Sequence, residues 1–92
     1  MIDRSLFAMF RNNPNLTYLD NAATTYKPDS VIEAISHFYS HDYATVGRGI
    51  YQLSERATQR YEEVRAQVAE FIGAKANEII FTRGATDGLN LV

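Results

Sequence analysis

The sequence contains no cysteine, only two prolines and no dominant charge sign, with nine Lys and Arg set against eleven Asp and Glu. Without cysteine there can be no disulfide framework and no thiolate metal site within these residues. Net charge is −2, and the basic residues are scattered rather than gathered in a stripe. That argues against nucleic-acid binding. No apolar run approaches the ~20 residues needed to cross a bilayer. The first residues, Met1-Ile2-Asp3-Arg4-Ser5-Leu6-Phe7, lack the apolar core and small-residue cleavage site of a secretory signal. A soluble, cytoplasmic protein is the expectation.

What is present is globular in character. Apolar residues make up 46% of the chain, with six Tyr and five Phe, and 92 residues suit one small domain at most. The chain stops at Asn90-Leu91-Val92, apolar residues in what reads as the second turn of a helix. Exposed termini are usually polar, so the reading here is of a chain cut short.

The expected elements alternate in type. Leu6, Phe7 and Phe10 suggest one or two helical turns, broken by Asn12-Asn13-Pro14-Asn15. Residues 16–19 are β-prone and lead into the small, polar stretch 20–25. Pro28 suits the first turn of a helix, while Ser30 with Glu33 has capping-box spacing, and the two place the start two residues apart. Val31, Ala34, Ile35 and Phe38 follow a helical stripe that should end near Ser40, with residues 41–49 as a loop. The clearest helix covers residues 54–72. Ala57, Tyr61, Val64, Val68 and Phe71 recur at helical spacing, Ser54 is placed to cap its start, and Gly73 suits a left-handed stop. Glu62 and Arg65 are spaced to pair. Residues 78–82 read as a short, mostly buried strand, and a new helix begins near Ala85. This order opens an α/β unit whose partner strands are missing.

Three segments are candidates for chemistry. At Gly84 a strand-to-helix turn presents free backbone N–H groups and the positive end of a helix, which suit an anion. Gly84 admits close approach, Thr86 adds a hydroxyl donor, and Gly88 leaves room one turn on. Taken alone, the pattern also describes an ordinary helix start with Asp87 in its first turn. The stretch Asp20-Asn21-Ala22-Ala23-Thr24-Thr25 could leave space for a substrate beside the backbone, or be a simple turn. Arg48, between Gly47 and Gly49, could reach a carboxylate or phosphate bidentately, or simply be solvated. His37 and His41 lie at i, i+4 without a carboxylate at ligand spacing, and read as surface or cap groups rather than a metal site.

Together, Tyr18-Leu19-Asp20-Asn21-Ala22-Ala23-Thr24-Thr25, Arg48-Gly49-Ile50-Tyr51-Gln52-Leu53-Ser54 and Phe81-Thr82-Arg83-Gly84-Ala85-Thr86-Asp87-Gly88-Leu89-Asn90-Leu91-Val92 resemble, in order and spacing, the opening part of class V aminotransferases. The likeness covers roughly residues 16–92 and is nearest to cysteine desulfurases of the SufS/CsdA type. It implies an α/β fold of the fold type I pyridoxal-phosphate class, here mostly helical with one or two short strands. Residues 1–53 would form an N-terminal arm, small-domain helix and active-site loop, and residues 54–92 the start of the large cofactor-binding domain. By resemblance, Gly84, Ala85 and Thr86 hold the phosphate of pyridoxal 5′-phosphate, and Asn21, Ala22, Ala23 and Arg48 lie near the substrate. The implied activity is release of sulfur from L-cysteine, giving L-alanine and an enzyme persulfide, in a homodimer that hands sulfur to an acceptor protein. Such members usually carry His before the Arg-Gly, where this chain has Gly47, and Glu where it has Asp87. The Schiff-base lysine, the nucleophilic cysteine and the other catalytic groups would lie past Val92. Lys27 and Lys75 do not match the lysine's position, so no catalytic residue and no metal ligand is expected in these residues. Another class V activity (transaminase, racemase or lyase) and a non-catalytic helical module remain alternatives.

Overall fold

The computed structural model describes residues 2–92, which divide into two compact units between Tyr43 and Ala44. Residues 44–53 group with the helix that follows them, tied to it by hydrogen bonds from Gly47 N to Thr58 and from Ser54 to Thr45 O.

The first unit is organised by aromatic contacts. A 3-10 turn, Arg4–Leu6, is capped by Asp3, whose carboxylate accepts from the Ser5 amide at 2.8 Å. Helix α1, Ala8–Asn12, follows and ends where expected, with the Asn13 amide donating to Met9 O at 2.9 Å. Phe7, Phe10, Tyr26 and Tyr18 form a row, with ring centroids 5.9, 5.6 and 4.2 Å apart in turn. The Arg4 guanidinium lies 4.0 Å over the Phe10 ring and donates to Leu16 O at 2.8 Å. Residues 16–19 are extended but unpaired, since a strand needs a second strand beside it.

Helix α2, Asp29–His37, has Pro28 at its N-cap, and Pro28 O accepts from Val31 and Ile32 at 3.0 and 3.3 Å. Ser30 is therefore already inside the helix, and its capping box with Glu33 does not form. Arg11 pairs with Asp29 at 2.7 Å. After His37 the chain widens into a π turn, Phe38–Asp42, so His41 belongs to this turn and not to a loop. The cause is local: the Ser40 hydroxyl donates to Ser36 O at 2.7 Å, competing with the backbone ladder.

The Arg11 hydrogen bond lowers the Asp29 carboxyl from its ordinary 3.8, as the Ser5 amide lowers that of Asp3. A carboxyl depressed in the fold adds stability above its unfolded pKa and loses it as pH falls through the folded value. Helicity of the first unit should therefore hold from neutral pH down to about 4 and fall below it. Circular dichroism of Asp29→Asn should be weaker than wild type at pH 7, and the gap should close as pH falls below the ordinary carboxylate range and the Asp29 carboxyl becomes protonated. A gap that persists at low pH would show that the ion pair is not its source.

In the second unit, helix α3 runs Gln52–Ile72 with Tyr51 at its N-cap, three residues before the expected cap at Ser54. Ser54 is its third residue and is fully buried. Gly73, at φ +73°, donates to Glu70 O while Ala74 N donates to Ala69 O at 2.8 Å, closing the helix as expected. Glu62 and Arg65 pair at 3.0 Å. The apolar stripe is where the spacing placed it, but it is largely open. Ala57 and Ala69 are buried, whereas Phe71 is 90% exposed.

A 3-10 turn, Ala76–Glu78, leads to an extended segment, 79–82, and then to helix α4, Ala85–Leu91. The expected buried strand over 78–82 is not formed. Glu78 lies in the turn, Ile80 is 69% exposed, and no ladder partner exists among the described residues. Instead, Arg65 donates to Ile79 O, and Phe81 packs edge-on against Tyr61 at 5.2 Å. Ile79 thus faces Arg65 and Phe81 faces Tyr61. The segment retraces α3 toward its N-terminal end.

Within the second unit, Phe71, Ile72 and Leu89 leave apolar helix faces open.

Candidate cofactor and substrate sites

The anion turn is built by three contacts around Gly84. Gly84 is extended, at φ 161° and ψ −175°, and its carbonyl takes the first helical bond from Gly88 N at 3.0 Å. The Ala85, Thr86 and Asp87 amides precede any available helical acceptor and are free to meet a ligand. Asp87 accepts from Arg83 N at 3.1 Å, Thr82 Oγ1 donates to Gly84 O at 3.1 Å, and Asn90 donates to Thr86 O at 2.9 Å. These bonds fix the turn while leaving the Ala85 and Thr86 amides alone. Arg83, Gly84, Ala85, Thr86, Asp87 and Asn90 line an open depression of about 480 Å³. Beyond Gly84 and its two chain neighbours, nothing among the described residues lies within 4 Å of where a Gly84 side chain would begin. Donors of a helix start, a neighbouring cation and open space above them fit a phosphate group. At Gly88 a Cβ would stand 3.7 Å from Thr82 Oγ1, an ordinary contact, so the chain itself does not need that glycine.

Asn21, Ala22 and Ala23 occupy an exposed turn of the first unit. Asp20 O accepts from the Ala23 and Thr24 amides at 3.1 and 3.2 Å, and the Tyr18 hydroxyl bridges Asp20 O and Thr24 O at 3.0 and 2.6 Å. Tyr18, treated in sequence as part of a β-prone run, is the residue that closes this turn. Asn21 also borders an apolar depression with Arg4, Phe7, Phe10 and Tyr26.

Arg48 is carried on a loop fastened to α3. Gly47 is left-handed at φ +80°, and its amide donates to Thr58 Oγ1 at 2.9 Å. Ser54 Oγ donates to Thr45 O at 2.5 Å. Gly49 presses on Ser54 so closely that a Cβ there would stand 2.2 Å from Ser54 Oγ and 2.4 Å from its Cβ. Gly49→Ala should therefore destabilise the protein by about 1–3 kcal/mol in urea unfolding, the usual cost of overpacking. Adding Ser54→Gly should recover part of that loss. Equal stability of Gly49→Ala and wild type would show that the loop does not approach α3 this closely.

The sequence candidates thus fall in two places. Asn21–Ala23 belong to the first unit, while Arg48 and Gly84–Thr86 belong to the second. His37 and His41 stack at 4.4 Å, with His37 Nδ1 3.2 Å from Asp42, and no group that could hold a metal exists among the described residues. No helix among them is long and apolar enough to cross a membrane.

Residues 17–92 match the Aminotransferase class-V family, nearly the span over which the motifs lie in register. The chain belongs to the class V aminotransferase family. It is 49% identical over 90 residues to the cysteine desulfurase SufS of Plasmodium falciparum (isolate 3D7), covering 97% of this chain and 16% of that protein. To a cysteine desulfurase of Enterobacter sp. (strain 638) it is 55% identical over 82 residues, covering 88% and 20%. Its structure resembles the apo cysteine desulfurase of Thermococcus onnurineus NA1 with a TM-score of 0.85 and 41% identity, over 99% of this chain and 23% of that one. This class V chain therefore has the fold type I architecture expected, and spans about a fifth of the length of the relatives it matches.

Proposed function

We propose that this chain is the N-terminal part of a pyridoxal 5′-phosphate-dependent cysteine desulfurase. The turn at Gly84 carries the proposal, because it joins free amides, a hydroxyl and open space in a class V chain. In this reading the Ala85 and Thr86 amides and the Thr86 hydroxyl donate to the cofactor phosphate. Arg48 lies near the substrate L-cysteine, and the small residues Asn21, Ala22 and Ala23 flank the substrate without crowding it. When bound, the cofactor supplies an electron sink for bonds broken on the amino acid, while the protein supplies position and electrostatics. The full-length protein acts as a cytoplasmic homodimer, releases alanine, and passes sulfur to an acceptor protein for iron–sulfur cluster assembly. A different class V reaction is the second reading, favoured by Gly47 in place of the usual His.

The test is turnover by the full-length protein. L-cysteine should yield alanine and sulfide, and failure with turnover of another amino acid would move the assignment to the second reading. The 92-residue chain alone should give no stoichiometric, lysine-dependent cofactor absorbance; such a band would place a catalytic lysine among these residues.

A further inference from the structure

We propose that Tyr18 is a positioning residue for the substrate, its hydroxyl a clasp that holds the turn Asn21-Ala22-Ala23 in the shape presented to the amino acid. The inference rests on the reading that this turn flanks the substrate.

The turn has little of its own to hold it. Ala22 and Ala23 carry no polar side chain, and residues 21–25 are all exposed, so packing does little to fix them. Asp and Asn ordinarily close such turns through their own side chains. Among the described residues, neither the Asp20 nor the Asn21 side chain bonds this one, and Thr25 Oγ1 reaches Asn21 O only at 3.3 Å. Two backbone bonds, from the Ala23 and Thr24 amides, converge on Asp20 O. Tyr18 adds the remaining tie. Its hydroxyl has one proton to give and lies 2.6 Å from Thr24 O and 3.0 Å from Asp20 O, joining the exit of the turn to its entrance. The ring behind that hydroxyl is itself fixed. It lies against Tyr26 with centroids 4.2 Å apart, and Tyr26 meets Phe10 edge-on at 5.6 Å. Tyr18 and Tyr26 are half-buried, while the turn between them is open to solvent. An anchored ring thus delivers a hydroxyl to a segment otherwise free to move, and order imposed before the substrate arrives lowers the cost of binding it.

The test uses the full-length holoenzyme and whichever amino acid it turns over. Tyr18→Phe keeps the ring and removes the hydroxyl. It should speed amide hydrogen exchange at Ala23 and Thr24 and raise KM on the order of three- to tenfold, the scale of one hydrogen bond. kcat and cofactor content should stay unchanged. Tyr26→Phe loses a hydroxyl that makes no hydrogen bond to the turn among the described residues, and should match wild type in exchange and KM. Unchanged exchange in Tyr18→Phe overturns the proposal, and so does an equal rise of KM in Tyr26→Phe. Ala22→Val crowds the turn without removing the clasp, and so separates the proposal from the reading beneath it. If Ala22→Val raises KM and Tyr18→Phe does not, the turn lies at the substrate but the hydroxyl does not position it. If Ala22→Val leaves KM unaltered, the turn is not at the substrate and the positioning role falls with that reading.

Discussion

Replacing Ala85 with proline in the full-length protein is expected to leave α4 intact and weaken pyridoxal-phosphate binding about 10- to 100-fold, the scale of one charge-assisted hydrogen bond. Proline is well tolerated at the first position of a helix, where the lost N–H has no helical acceptor. The preceding residue must then be extended, and Gly84 already is, at φ 161° and ψ −175°. The substitution therefore removes one donor from the proposed phosphate site without removing the helix that carries it. Cofactor retention after dialysis and helicity by circular dichroism check the two halves. Undiminished cofactor affinity would show that the Ala85 amide does not meet the phosphate.

The second large effect is expected at Arg65. Its guanidinium bonds Ile79 O and Glu62 together and lies 5.2 Å from both the Tyr61 and Phe81 rings. The side chain is only 21% exposed. Arg65→Ala should cost about 2–3 kcal/mol in urea unfolding of the full-length protein, since a hydrogen bond from a charged group and the packing of its stem are lost together. Arg65→Lys should recover little, because an ammonium cannot bond two acceptors in one plane while lying between two rings. Cofactor affinity should fall too, as the segment that Arg65 holds ends at the Gly84 turn. Full recovery by lysine would reduce the role of Arg65 to its charge.

What was legible in the sequence were features governed by near neighbours. Gly73 stops α3 in the left-handed form, Glu62 meets Arg65, and α4 starts at Ala85. The three motifs, read in register, also led to the family and its fold. What was not legible depended on distant atoms. Ser54 has the chemistry of a cap, and only the course of the loop nine residues earlier turns its hydroxyl to Thr45. Nothing near Arg65 announces a bond to Ile79, fourteen residues on. Residues 78–82 have strand composition, but a strand is a property of two segments, and no partner for it exists among the described residues. Spacing likewise placed the stripe of α3 correctly without revealing that Phe71 would stay open to solvent. Among the site residues, the sequence named those proposed to touch ligands and missed Tyr18, Ser54, Thr58 and Arg65, which hold them in place.

Those last three share α3 with Tyr61, and their spacing has a consequence. Ser54, Thr58, Tyr61 and Arg65 recur at four, three and four residues, so all four project from one face. The first pair fastens the Arg48 loop and the second the segment ending at the phosphate turn. α3 is therefore a jig with two pegs at each station, and its helical phase is what keeps the two loops in step. Inserting a single residue between Gln59 and Arg60 would lengthen the helix by only about 1.5 Å but turn one station about 100° from the other. Each loop would keep its own contacts and lose its alignment with the other, so the alignment of the two sites resides in an angle along α3.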